Sequence, residues 1–225
     1  MFYIRIFLIG LLALSIGNCY STDFYRIQIY EILCQDCGAS ELDCKAILSN
    51  DPSIQESVLD FPVGKKNGEG FYIAQHFAEI NPRFRNRYHL GEDWNYIGGG
   101  DTDFGAPVYS IGRGIVSMTK DLGGGWGKVI RICHSFTKEA SQKLGYEFVE
   151  SIYAHLSEFH VATGDKVERG RWLGSIGNSN QAYPSHLHFE IRNILGKDLG
   201  GGYESEIPAY LIKPSHVIQS LHTLR

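Results

Sequence analysis

From Phe61 onward the apolar positions fall into short alternating runs, Pro107–Ile111, Gly114–Met118, Val129–Cys133, Ser151–Ala154 and His186–Ile191, each closed by glycine or a polar turn. Alternation puts every second side chain on one face of a strand, so these runs predict a β-sheet domain. Phe136–Val149 is polar and mixed, with the length of an insertion or a short helix between two strands. Glycine runs at 98–100, 123–125 and 200–202 sit in no Walker-type or dinucleotide fingerprint and read as loops. Upstream the pattern changes. Phe24–Leu33 is apolar-periodic, and Ala46–Ser57 looks helical with an interruption at Asn50-Asp51-Pro52. The predicted organisation is therefore a leader over 1–18, an N-terminal extension over 19–60 and a sheet domain over 61–225.

The leader has one early cation, Arg5, followed by an apolar run from Ile6 to Ile16 that is too short to span a bilayer and has the length of a signal-peptide core. Cys19 follows directly, and Ile16-Gly17-Asn18-Cys19 resembles a loose lipobox, with Asn18 departing from the usual small residue. Export is expected, to the periplasm or cell envelope; a plain secretory leader and a lipid anchor on Cys19 both stay open. The remaining Cys34, Cys37, Cys44 and Cys133 form an even set that suits disulfides in an exported protein, and spacing does not choose the pairing. A zinc ribbon would need a second CxxC, and a thioredoxin-type pair a βαβ setting. Staples for a small N-terminal region are the preferred reading.

Composition adds little except by exclusion. The chain of 225 residues has 21 basic and 25 acidic side chains, a net charge of −4, so it lacks the cationic surplus that nucleic-acid binding requires. Its 43% hydrophobic and 20% charged content excludes a disordered chain and a multi-span membrane protein. The 26 glycines and 12% aromatic content favour short strands and tight turns.

The histidines carry the chemistry. They group in His89-Leu90-Gly91-Glu92-Asp93, Tyr153-Ala154-His155-Leu156-Ser157 and His186-Leu187-His188-Phe189-Glu190. On a strand His186 and His188 share a face, with Leu187 and Phe189 turned to the core. A hydrolytic zinc site takes three protein ligands and leaves one position open. His89, Asp93 and one imidazole of the 186/188 pair supply two nitrogens and a carboxylate, leaving the other imidazole and His155 beside the metal to take a proton and stabilise an oxyanion. Glu190 shares the parity of His188, and a supporting role and a solvated carboxylate are equally open for it and for Glu92. His134 is expected to be structural or supporting, near the site; His76, Asn81, His160, His216 and His222 read as ordinary residues. A serine hydrolase finds no elbow, because Leu173 fills the first glycine position of Leu173-Gly174-Ser175-Ile176-Gly177, and there is no HExxH.

The ordered series HxxxD, YAHLS and HLHFE resembles the LytM/lysostaphin-type zinc endopeptidases of bacterial cell walls. Gly105–Ser110, Gly112–Val116, Val129–His134, Gly164–Val167 and Leu173–Gly177 match as well, so the likeness runs from about Phe61 to Ser215. It implies zinc (Zn2+) held by His89, Asp93 and His188, with His155 and His186 catalytic. It also implies a mostly β, antiparallel sheet forming the floor of a groove, of the LytM-like duplicated-hybrid-motif type, after a small α or irregular extension. The implied activity is hydrolysis of peptide crosslinks in peptidoglycan by metal-activated water, with peptide stems as partner and a monomer expected. The alternative is a non-catalytic cell-wall binding module or amidase activator. Gly164-Asp165-Lys166-Val167 also resembles the turn of biotinyl and lipoyl carriers, read here as shared geometry. Trp94–Phe104 and Phe136–Val149 exceed the usual lengths and are expected to border the groove.

Overall fold

A computed structural model describes residues 44–222 of the chain, all within one compact unit spanning 41–225. The leader, Cys19, Phe24–Leu33, Cys34 and Cys37 lie outside the described residues. No described helix is long and apolar enough to cross a membrane.

The two longest strands, β8 (Lys128–Phe136) and β9 (Phe148–Phe159), are buried at nearly every position because both faces of their sheet are covered. Around them the main sheet runs β10 (Lys166–Val167), β7 (Gly114–Asp121), β8, β9, β12 (Leu187–Arg192), β5 (Glu92–Tyr96) and β2 (Phe71–Gln75). Further strands attach to it: β11 (Trp172–Ile176) pairs with β6 (Pro107–Tyr109) and β9, and β14 (Leu211–Ile212) with β12. A small second sheet joins β3 (Ile80–Asn81), β4 (Arg87–His89) and β13 (Tyr203–Glu204). The fold is mostly β, as the alternation predicts, and antiparallel, as the resemblance implies, except that β1 (Gln55–Glu56) pairs parallel to β8.

One face of the sheet carries the core. Ile130 and Ile132 of β8, Tyr153 of β9 and Leu187, Phe189 and Ile191 of β12 pack there with Leu59, Val63 and helix α3 (Pro214–Leu221). Each such aliphatic or aromatic side chain contributes about 1.5–3 kcal/mol by leaving water. Helix α3 is tied down by Glu92, which accepts from Ser215 N at 3.0 Å and Ser215 Oγ at 2.6 Å. That settles Glu92 as a buried structural carboxylate rather than a solvated one.

The opposite face is polar in its middle. Arg131 reaches Glu150 at 2.7 Å, and Arg192 reaches Glu190 at 2.7 and 3.0 Å, all four side chains being buried. Arg192 also donates to the carbonyls of Lys197, Asp198 and Leu199, which holds the loop after β12 over this face. Beyond the ion pairs, Cys133 bonds to Cys44 of helix α1 (Cys44–Asn50), in a cluster with Leu48, Ile54 and Ile115. This bridge therefore joins helix α1 to the sheet.

Phe136–Val149 forms helix α2 (Lys138–Leu144), capped by Thr137 and by Gly145 in the left-handed conformation. It sits at the His134–Val149 end of the β8–β9 hairpin, whereas His188 pairs with Ala154 further along β9. The insertion thus lies away from the groove, contrary to the expectation from its length. His134 shares that distant end: its Nδ1 lies 2.8 Å from the Arg113 carbonyl and its Nε2 2.7 Å from Ser151 Oγ, which in turn meets the Tyr153 hydroxyl at 3.1 Å.

Burial lowers the His134 pKa from 6.5 to about 4, against the opposing pull of the Arg113 carbonyl and Glu56. Between those values the unfolded chain takes up a proton that the folded chain refuses, so this residue's contribution is complete above pH 6.5 and declines as pH falls toward 4. The loss amounts to about 3 kcal/mol. His134→Gln, which cannot titrate, is expected to be less stable at neutral pH but to lose less on acidification. Urea midpoints for both proteins across this range check it, and parallel pH slopes would refute it.

Candidate functional site

His89 ends β4, Asp93 lies on β5, and the two-residue link Leu90-Gly91 between the strands brings both toward β12. There His188 is the registered partner of Asp93. The donor atoms converge: His188 Nδ1 is 2.9 Å from Asp93 Oδ1 and 3.1 Å from His89 Nε2, and His89 Nε2 is 3.2 Å from Asp93 Oδ1. Donors at 2.0–2.1 Å around a tetrahedral cation stand about 3.3 Å apart, so this set fits such an ion. Gly91 makes the approach possible, because a Cβ there would lie 2.8 Å from His188 Cε1 and 2.7 Å from the Phe189 carbonyl.

His155 reaches the same place by a bulge. Ala154 and His155 together stand opposite Val129, so the side-chain alternation of β9 breaks at this point. His155 has φ +63°, a conformation costing about 1–3 kcal/mol in a residue other than glycine. It brings the ring of His155 to centroid distances of 4.7 Å from His186 and 5.5 Å from His188. His186 Nε2 lies 3.7 Å from Asp93 Oδ1. All five residues singled out from the sequence therefore line one groove of about 470 Å³.

The outward nitrogen of each imidazole meets an oxygen that only accepts. His89 Nδ1 faces the His76 carbonyl at 3.3 Å, His188 Nε2 the Glu190 carboxylate at 3.1 Å, His155 Nδ1 the Trp126 carbonyl at 3.2 Å, and His186 Nδ1 the Pro184 carbonyl at 2.8 Å. His89 Nε2 and His188 Nδ1 also face the Asp93 carboxylate, so a cation held by the trio would take the place of a proton there while each outward N–H stays. In the neutral rings of His155 and His186 a proton on Nδ1 leaves the lone pair on Nε2. Glu190 is thereby a buried partner of His188, and the solvated alternative is excluded. His76 contributes through its backbone, which no side-chain pattern could reveal.

Electrostatics follow this packing. Burial works against the charge on Asp93, but hydrogen bonds from His188 and His89 outweigh it and hold the carboxyl well below its usual range. Burial lowers the His188 pKa, yet Asp93 and Glu190 together raise it to about 9. His155, desolvated and close to His186 and His188, is pushed well below 6.5 and stays neutral.

Aromatic rings and glycine loops wall the groove. Trp126 Nε1 donates to the Gly200 carbonyl at 2.9 Å, and Phe84 stacks on Tyr203 with centroids 3.9 Å apart. The Tyr203 hydroxyl donates to Gln75 Oε1 at 2.7 Å and receives Asn81 Nδ2 at 3.3 Å, which makes Asn81 a groove-wall residue. Trp94–Phe104 contributes no side chain to the groove lining and instead holds Ser185, beside Pro184 and His186, from behind: Asp101 accepts from Ser185 N, and Asp103 from Ser185 Oγ. Two of the three glycine runs, 123–125 and 200–202, contribute groove residues.

Comparison with known proteins agrees with this geometry. The sequence profile of peptidase family M23 matches residues 88–200, just over half of the chain. Peptidoglycan DD-endopeptidase ShyA of Vibrio cholerae is 35% identical over 94 residues, 40% of this chain and 19% of that protein. DD-carboxypeptidase/endopeptidase Mpg of Neisseria meningitidis is 33% identical over 88 residues, 39% of this chain and 17% of that protein. The chain spans about a fifth of the length of these curated relatives. Among solved structures, the antimicrobial peptidase lysostaphin from Staphylococcus simulans aligns with 18% identity and a TM-score of 0.49, over 71% of this chain and 55% of that one. Because the matched span covers just over half of the chain and contains His89, Asp93, His155, His186 and His188, the chain belongs to peptidase family M23.

Proposed function

We propose that the protein is a zinc-dependent endopeptidase that cuts peptide crosslinks of peptidoglycan. The observation that carries this reading is the convergence of His89 Nε2, Asp93 Oδ1 and His188 Nδ1 at 2.9–3.2 Å from one another, with His155 and His186 beside them in the same groove. His89 Nε2, Asp93 and His188 Nδ1 would hold the metal. Zinc bound there supplies a Lewis acid that makes water acidic enough to attack an amide at neutral pH.

The remaining work falls to the chain's own groups. A stem peptide lies along the groove between the Trp126 wall and the Phe84–Tyr203 wall. His155 and His186 present Nε2 to the reacting amide; one accepts the proton released by water, and the protonated ring returns it to the leaving amine. The Nε2–H of the ring that has taken the proton also faces the developing oxyanion. The names of the Vibrio and Neisseria relatives favour a D-alanyl crosslink to a diamino acid as the bond cut. The leader over 1–18 supports export to the periplasm or envelope, by a plain secretory route or with a lipid on Cys19.

The test is digestion of isolated peptidoglycan by the purified mature protein, with fragments read by mass spectrometry. Crosslink fragments that disappear on chelation and return with zinc are expected. Zinc bound without any cleavage would instead establish a binding module or amidase activator.

Glu190 offers a separate check. By fixing the His188 N–H it keeps Nδ1 free for the metal, and loss of such an outer partner typically weakens binding about 10- to 100-fold. Glu190→Gln is expected to lower zinc affinity by that factor in competition with a chromogenic chelator. Unchanged affinity in a folded variant would contradict the role.

A further inference from the structure

A buried cluster behind His155 has no counterpart in the sequence motifs. Ser179 Oγ lies 2.7 Å from His155 Nδ1 and 3.1 Å from the Gly125 carbonyl, while the Trp126 carbonyl faces both Nδ1 at 3.2 Å and the His155 backbone N–H at 3.1 Å. A carbonyl only accepts, so with the hydroxyl proton of Ser179 given to Gly125 the hydroxyl oxygen accepts at His155. Trp126 makes the same demand on Nδ1.

We propose that Ser179 is a positioning residue: it fixes the plane of the His155 ring and its Nδ1–H tautomer, so that Nε2 carries the lone pair on the side of His186. The backbone is bent to deliver it. Ser179, Asn180 and Gln181 all have positive φ, at 49°, 56° and 70°, and Ser179 is buried. Gly127, at φ +60°, makes room, since a Cβ there would lie 2.9 Å from Ser179 Oγ. A left-handed run of three residues other than glycine costs energy at each position, and here it sets one hydroxyl between His155 and the 122–127 loop.

The proposal rests on His155 acting as a proton carrier in the proposed peptidase, so the experiment separates the two. Ser179→Ala and Ser179→Gly both delete the hydroxyl, but glycine also relieves the left-handed strain. Both variants are expected to keep wild-type zinc content. Imidazole nitrogen NMR should show His155 as a single Nδ1–H tautomer in the wild type and as a mixture in both variants. With a crosslinked stem peptide as substrate, kcat should fall about tenfold with KM unchanged, the Trp126 carbonyl retaining part of the restraint.

If Ser179 served only to shape its loop, Ser179→Gly would keep the pure tautomer and full kcat, and that result overturns the proposal. A wild-type protein that shows the tautomer and loses it in the variants, yet cleaves nothing, refutes the peptidase reading while leaving the coupling of Ser179 to His155 established.

Discussion

His188→Ala is expected to bind no zinc at wild-type affinity and to lose cleavage to background. His188 Nδ1 sits 2.9 Å from Asp93 and 3.1 Å from His89, so its removal leaves one imidazole and one carboxylate, too few for a hydrolytic zinc site. The Lewis-acid contribution that disappears is several kcal/mol, a fall of about three orders of magnitude or more. The substitution leaves Glu190 Oε2 paired with Arg192 but takes away the imidazole that meets Oε1, so the fold should survive with a lower unfolding midpoint. Metal analysis and the unfolding midpoint of the same preparation check both points. Full zinc occupancy in folded His188→Ala would remove His188 from the ligand set.

The second large effect separates metal binding from proton transfer. His155 lies against His186 and His188 but outside the trio of converging donors. Its loss is expected to leave zinc content unchanged while kcat falls by about two or more orders of magnitude. Alanine is a poor probe here because φ is +63°. Asparagine tolerates the left-handed region better, so His155→Asn is the cleaner variant and should show the same loss. Undiminished activity in either would refute the role given to His155.

Much of this arrangement is legible in the chain. On β12 the alternation alone sends Leu187, Phe189 and Ile191 to the core and His188, Glu190 and Arg192 to the other face, and the burial of these residues agrees. The spacing of His89 and Asp93 suits a strand end and the link after it, although Asp93 proves to lie on the next strand, in the other sheet. His155 is different: a regular strand would point it away from Ala154, and only the bulge returns it to the groove. Bulges leave little trace in a pattern of apolar residues. The same limit applies to the oxygens that orient the imidazoles, since the carbonyls of His76, Trp126 and Pro184 belong to the backbone and any residue type supplies one. Ser179 is a loop serine among several. The Cys44–Cys133 bridge and the parallel β1–β8 pair depend on long-range packing that local periodicity does not encode. The inserted helix α2 was expected beside the groove because length alone does not say at which end of a hairpin an insertion sits.

The most direct test is the metal content of the purified mature protein, measured together with release of crosslink fragments from peptidoglycan with and without chelator. About one zinc per chain, with cleavage that chelation abolishes and zinc restores, is the result expected from the converging donors of His89, Asp93 and His188. Chelator-insensitive cleavage, or a folded protein that takes up no zinc, would contradict it.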